Sequence, residues 1–410
     1  MTDPIIADAQ TIRRLKNIPA SFRIAGLALL SAQTGKVSFA LPDNRIIVFD
    51  KGDGGTEAFI NIHDYNFASR SLSGGDIGFA ESYMDGEWST PDLTAVLRYF
   101  GDNFDAAGGG KLARGKTTVR LINMIRHLFN RNSKSGSKRN IYSHYDLGND
   151  FYSKWLDPSM TYSSALFSSP NTNLEQAQAA KYENICQTLN LGPGQNILEV
   201  GCGWGGFAEH AASKHGVNVT CLTLSPAQRD YAEKRIADAN LSDKVSIRLE
   251  DYRDHSSQYD GIVSIEMFEA VGESYWASYF AKISECLKSG AKAALQIITI
   301  DDDLFQRYRK RADFIQHYIF PGGMLPSEIA LRKQLETANL TYEDATYFGD
   351  DYARTLRIWA KAFNEAWEDI EPLGFDAPFK RMWNFYLSYC EAGFEGGRIN
   401  VGQFAISKPG

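Results

Sequence analysis

From residue 196 onward short apolar runs alternate with helical patterns, and this alternation restricts the fold more than any other feature of the chain. NILEVG, VNVTCLTL, VSIRLED, YDGIVSIEM and AKAALQIITI read as strands, with helical spacing between them over residues 205–213, 226–240 and about 275–287. Apolar strands in such an order belong to a parallel sheet covered by helices on both faces. The expected class is therefore α/β, a doubly wound, mostly parallel sheet whose ligand sits at the C-terminal ends of the strands.

The loop that follows the first of these strands reads EVGCGWGG from Glu199 to Gly206 and leads directly into a helix. Gly201, Gly203 and Gly205 let backbone approach a ligand where a Cβ would intrude, and the helix N-terminus offers unpaired N–H groups. Those are the needs of a nucleotide-bearing cofactor. A dinucleotide site would carry G-x-G-x-x-G and an acidic residue about 20 positions on. Here the run is GCGWGG, and the second strand ends in Thr223-Leu224-Ser225 with no acid. NAD is the weaker reading; Glu199 at the head of the loop fits a class I S-adenosylmethionine (SAM)-dependent methyltransferase with a Rossmann-like sheet. A tight turn without a ligand is the bland alternative, and four glycines so placed argue against it.

The first part of the chain reads differently. VSFAL, RIIVF and AFINI alternate like strands between turn signals, and helical patterns follow in IGFAESYMDGEW and, after Thr90-Pro91-Asp92, in LTAVLRYFGDNF. Residues 1–128 are expected to form a smaller α+β accessory domain, 129–141 a basic flexible linker, and 142–410 the catalytic domain. Residues 111–139 hold nine Lys and Arg and no Asp or Glu, although the whole chain has a net charge of -7. The acidic balance argues against a general nucleic-acid binder. Five scattered cysteines give neither a disulfide scaffold nor a CxxC metal pair, which suits a reducing cytoplasm and no metal. With no leader pattern and no apolar run of roughly 18 residues, a soluble protein is expected.

Further segments, in order, carry a resemblance: HYDLGNDFY, MTYSSALF, LEVGCGWGG, LTLSPAQ, EDYRD, MFEAVG, YIFPGGMLPS, FGDDYARTL and FYLSYCEAGF. From residue 142 to the C-terminus the chain resembles the cyclopropane-fatty-acyl-phospholipid synthases and the related mycolic acid cyclopropane synthases. GFAESYMDGEW is similar to the lipid-associated accessory domain of the bacterial phospholipid enzymes. The resemblance implies SAM as the methyl donor, held by Tyr162, Ser163, Glu199 and the glycines Gly201, Gly203 and Gly205. It places Thr223 and Gln228 near the ribose and Asp251 at the adenine amino group.

The implied reaction moves one carbon onto the double bond of an unsaturated acyl chain in a membrane phospholipid. A carbocation is left, and a base removes a proton so that a cyclopropane ring closes. By resemblance that base is a bound bicarbonate, held by Glu269, Tyr352 and the backbone of Ile298, by Ser164 where the family carries cysteine, and by Gln296 where it carries histidine. Ser164 and Gln296 can still donate to an anion, but neither carries positive charge. Methylation without ring closure therefore stands as the second reading, beside neutral drift within an ordinary synthase. Cys390 matches an active-site cysteine of the family, with a half-buried structural thiol as its other reading.

The substrate implies a cytoplasmic enzyme that touches the inner membrane surface, where the basic segment would be attracted to anionic lipid. A homodimer is compatible with the sequence. Two rivals remain: a SAM methyltransferase for a small molecule or protein, and a lipid-binding or dimerising module with a decayed catalytic half. The first has no need of MFEAVG, YIFPGGMLPS and YARTL together. Intact Glu199, Gly201, Gly203, Glu269 and Tyr352 argue against the second.

Overall fold

A computed structural model describes residues 4–105 and 147–410. The basic run at 111–139 and the expected linker at 129–141 lie outside the described residues. The chain divides into two compact units.

The N-terminal unit is built on a five-stranded sheet of β1 (Ile5–Ile6), β2 (Lys36–Ala40), β3 (Ile46–Asp50), β4 (Glu57–Ile62) and β5 (Trp88–Ser89), in the order β1-β3-β2-β4-β5. The three alternating runs of the sequence are β2, β3 and β4. Phe39 of β2 is buried and meets Phe22 and Phe49 edge-on. The helix Asn66–Met84 bends at Gly75, whose φ of 66° lies in the left-handed region that glycine tolerates. Asp92 starts the helix Leu93–Phe100 by accepting from the Ala95 N–H at 2.9 Å.

Two later segments, Lys310–Ile319 and Gly374–Gly396, also belong to this unit. Tyr318 donates to Glu81 at 2.7 Å, and Thr94 donates to Glu391 on the helix Ala377–Glu395 at 3.0 Å. The sequence reading placed both segments in an unbroken catalytic domain. Their partners are set by contacts across hundreds of residues, which periodicity does not register.

The second unit holds a seven-stranded sheet: β6 (Asn196–Val200), β7 (Asn218–Thr223), β8 (Val245–Leu249), β9 (Tyr259–Ile265), β10 (Leu287–Ile300), β11 (Thr341–Tyr347) and β12 (Ile399–Ser407). Its order is β11-β12-β10-β9-β6-β7-β8, with β6 to β10 mutually parallel and β12 antiparallel to both neighbours. The five apolar runs of the sequence are β6 to β10, and the expected doubly wound α/β sheet is present. β11 and β12 were not anticipated. TYEDATY is largely exposed, as an edge strand can be, and β12 is slotted between β10 and β11 from the far end of the chain. After β8 the chain crosses back over β6 to form β9, so the strand order reverses between β6 and β9. A doubly wound sheet opens its ligand crevice at the C-terminal ends of such a pair. No helix among the described residues is long and apolar enough to cross a membrane.

Candidate active site

The loops leaving β6 and β9 both border a cavity of about 170 Å³. After β6 the backbone turns through Gly201 and Gly203, with φ of 83° and 53°. At Gly201 a Cβ would come within 2.7 Å of Met267 Cγ. At Gly203 it would meet no protein atom within 4 Å, so the space it would fill is the open space beside the cavity. Gly205, also left-handed, sets the start of the helix Gly206–His215 instead of lining the cavity.

Most of the predicted cofactor residues meet here. Tyr162, Ser163, Glu199, Gly201, Gly203, Thr223 and Gln228 all line the cavity. Thr223 donates to Gln228 Oε1 at 3.1 Å and accepts from the Ser225 N–H at 3.2 Å, so the end of β7 and the next helix are fixed together. Tyr162 stands among the rings of Tyr152, Trp155 and Trp359. Asp251 is placed differently from its expected role: its carboxylate accepts from the Arg253 backbone N–H at 3.0 Å and pairs with the Arg253 guanidinium at 2.6 Å. Asp251 is absent from the cavity wall, where Glu250, Tyr252 and Arg253 stand instead.

Glu199 is only 3% exposed, and burial pushes its carboxyl up to about 8. A thiol donor, Cys221 Sγ, lies 3.5 Å from its Oε2. Lys181, which the sequence reading passed over, is fully buried nearby and donates to Ser163 Oγ at 2.6 Å. Burial draws its ammonium down to about 7 against the opposing pull of Glu266, Asp157 and Glu199. A donor set of open glycine backbone, a buried acid and neutral hydroxyl and amide groups fits a cofactor that joins an amino acid to a nucleoside.

The predicted proton-removal residues also converge, on a group that was not foreseen. The Ser164 N–H donates to Glu266 Oε1 at 2.9 Å, Gln296 Nε2 donates to the same oxygen at 2.7 Å, and the Tyr352 hydroxyl donates to Oε2 at 2.6 Å. Gln403 on β12 donates to Gln296 Oε1 at 3.0 Å, which turns the Gln296 NH₂ toward Glu266. Glu266 itself closes β9 with a φ of 48° and lines the cavity. Burial raises its pKa while these donors and Lys181 oppose the rise. The one available signal in the sequence was an acid at the C-terminal end of an apolar strand, directly before MFEAVG and three residues before the more conspicuous Glu269.

Glu269 sits beside this cluster. The Ile298 N–H donates to its Oε1 at 2.5 Å, its Oε2 is buried with no partner among the described residues, and burial with the neighbouring Glu266 pushes it up to about 8. Two carboxyls so close favour one ionised and one protonated group. Cys390 is only partly buried, on the helix Ala377–Glu395 of the N-terminal unit, and forms no disulfide.

The sequence family described as mycolic acid cyclopropane synthetase matches residues 132–404, well over half of the chain. The chain belongs to this family. Among family relatives it is 38% identical over 345 residues to the tuberculostearic acid methyltransferase UfaA1 of Mycobacterium tuberculosis, covering 82% of this chain and 80% of that protein. It is 36% identical over 362 residues to the cyclopropane-fatty-acyl-phospholipid synthase of Escherichia coli, covering 87% of this chain and 89% of that protein. Among solved structures, the mycolic acid cyclopropane synthase CmaA1 complexed with SAH and CTAB superposes with a TM-score of 0.62 at 30% identity. That match covers 66% of this chain and 98% of the other.

Proposed function

We propose that this family member transfers one carbon from SAM to the double bond of an unsaturated fatty acyl chain of a phospholipid and closes a cyclopropane ring. It is an enzyme with SAM as its methyl donor, and SAM when bound supplies an electrophilic methyl group on a positively charged sulfur. The observation that carries the reading is the adjacency, around one cavity, of a glycine-loop cofactor wall and a carboxylate held by three donors. A methyl transfer to an alkene leaves a cation that must lose a proton, and a positioned base in the cavity wall meets that need. Tyr162, Ser163, Glu199, Gly201, Gly203, Thr223 and Gln228 hold the cofactor; Glu269 and Tyr352 belong to the proton-removing side. The chain's likeness to the E. coli phospholipid synthase supports the lipid substrate.

A second product reading, a methylated chain without a ring, has its own support in the likeness to a tuberculostearic acid methyltransferase. Lipids from a host expressing the gene test both. Mass spectrometry should show acyl chains heavier by one CH₂, and proton NMR should show upfield ring protons. Vinylidene or branched-methyl signals instead of ring protons would establish the second product, and unaltered lipids would overturn both readings. The enzyme works at the cytoplasmic membrane surface, and the nine basic residues within 111–139 supply attraction to anionic lipid of about 1 kcal/mol each near the surface.

A further inference from the structure

The site that resemblance assigns to bicarbonate does not fit a free anion in this protein. Three of its expected donors, the Ser164 N–H, the Gln296 amide and the Tyr352 hydroxyl, already converge on the Glu266 carboxylate, and the fourth, the Ile298 N–H, is taken by Glu269. A carboxylate and a bicarbonate present the same pair of oxygens at the same spacing, so one occupant excludes the other. We propose that Glu266 is the catalytic base of this enzyme, a built-in carboxylate that stands where the family's chemistry uses a dissolved one. The assignment rests on the reading of the protein as an acyl-chain one-carbon transferase.

Three features of the site agree. Glu266 lines the same cavity as the cofactor-wall residues Tyr162, Glu199 and Gly203. Its donors come from residues without formal charge, which leaves the proton-accepting oxygens basic while holding them in place. Gln296 in place of histidine is then explained: an amide clamped by Gln403 presents a permanent donor, whereas a neutral imidazole could turn an acceptor toward the carboxylate. Ser164 contributes its backbone N–H, and its hydroxyl donates to the Ala165 carbonyl at 3.0 Å, so loss of the family's cysteine costs the carboxylate no donor. The two departures from the family pattern and the acid at 266 form one arrangement.

The step balances without a further reactant. The C–H electron pair of the transferred methyl becomes the new C–C bond of the ring and quenches the cation on the chain. The proton passes to Glu266 and leaves to solvent after product release. Formation of a methylene-bearing chain also needs a proton removed from that methyl, once a 1,2-hydride shift has moved the cation to the carbon that bears it, so the assignment holds for the ring and for the methylene product.

The test uses the full-length enzyme, SAM and vesicles of an unsaturated phosphatidylglycerol. Wild-type turnover should be the same in carbon-dioxide-free buffer and with millimolar bicarbonate added. Glu266→Gln should bind SAM normally and lose about 10²–10⁴-fold in turnover. Glu266→Gly suits the positive φ at this position and leaves the donors vacant; its activity should be rescued by bicarbonate. ¹³C NMR of labelled bicarbonate should show binding to Glu266→Gly and none to wild type. Bicarbonate-dependent wild-type turnover, bicarbonate binding to wild type, or an active Glu266→Gln would each overturn the base assignment while leaving the function intact. A wild type that binds SAM but yields no lipid product overturns the functional reading and the base assignment with it.

Discussion

Replacing Tyr352 with Phe deletes one donor from the Glu266 carboxylate and keeps the ring. The hydroxyl lies 2.6 Å from Glu266 Oε2 and is one of three donors that favour the ionised form. A hydrogen bond to a charged group contributes about 1.5–3 kcal/mol. At about 1.4 kcal/mol per pH unit, its loss makes Glu266 harder to ionise by about one to two pH units. Catalysis needs the ionised carboxylate, so activity falls as pH drops through the Glu266 titration, and removing a donor moves that acid limb to higher pH. Turnover of Tyr352→Phe should be lower by about 10- to 100-fold on the acid side of the limb and recover in large part above it. Product formation at saturating SAM, followed across pH for both proteins, measures the limb directly, and calorimetric SAM affinity should not change. An acid limb that stays in place, with SAM binding preserved, would refute the coupling of Tyr352 to the base.

Other outcomes follow from the same geometry. Because burial pushes Glu199 up to about 8, binding a cationic cofactor beside it should release a proton below that pH; SAM affinity should rise as pH approaches 8, and Glu199→Gln should flatten the dependence in calorimetry. Gly203→Val forces a β-branched residue into φ 53° and fills open space beside the cavity, so it should remove SAM binding, with unchanged affinity counting against the cofactor site. Glu269 is also raised to about 8 by burial, so ionisation opposes folding as pH rises from the unfolded value near 4.5 toward 8. Glu269→Gln should therefore gain thermal stability relative to wild type over that window, by at least about 1 kcal/mol, while losing turnover. In vesicle sedimentation, changing Arg131, Lys134, Lys138 and Arg139 to Gln should weaken binding to anionic lipid, most at low salt.

The sequence by itself determined whatever depends on neighbours in the chain. β6 to β10 were legible because a strand covered on both faces must be apolar along its length, and the cofactor loop because its glycines sit between a strand and a helix. Caps such as Asp92 and Ser225 bond to backbone three residues on, so their signals are local as well. Glu269, Tyr352, Ser164 and Gln296 could be placed in one site by resemblance, but what they hold there could not. The donors to Glu266 lie 102, 30 and 86 positions away along the chain. Only the folded sheet, with β9 beside β10, could show that the protein's own carboxylate occupies the ring of donors. The buried ammonium of Lys181, whose acceptor Ser163 lies 18 positions away, is of the same kind. A hydrogen-bonding group takes the partner that packing brings within 3 Å or so, and packing across long sequence separations leaves no period or spacing in the sequence to read.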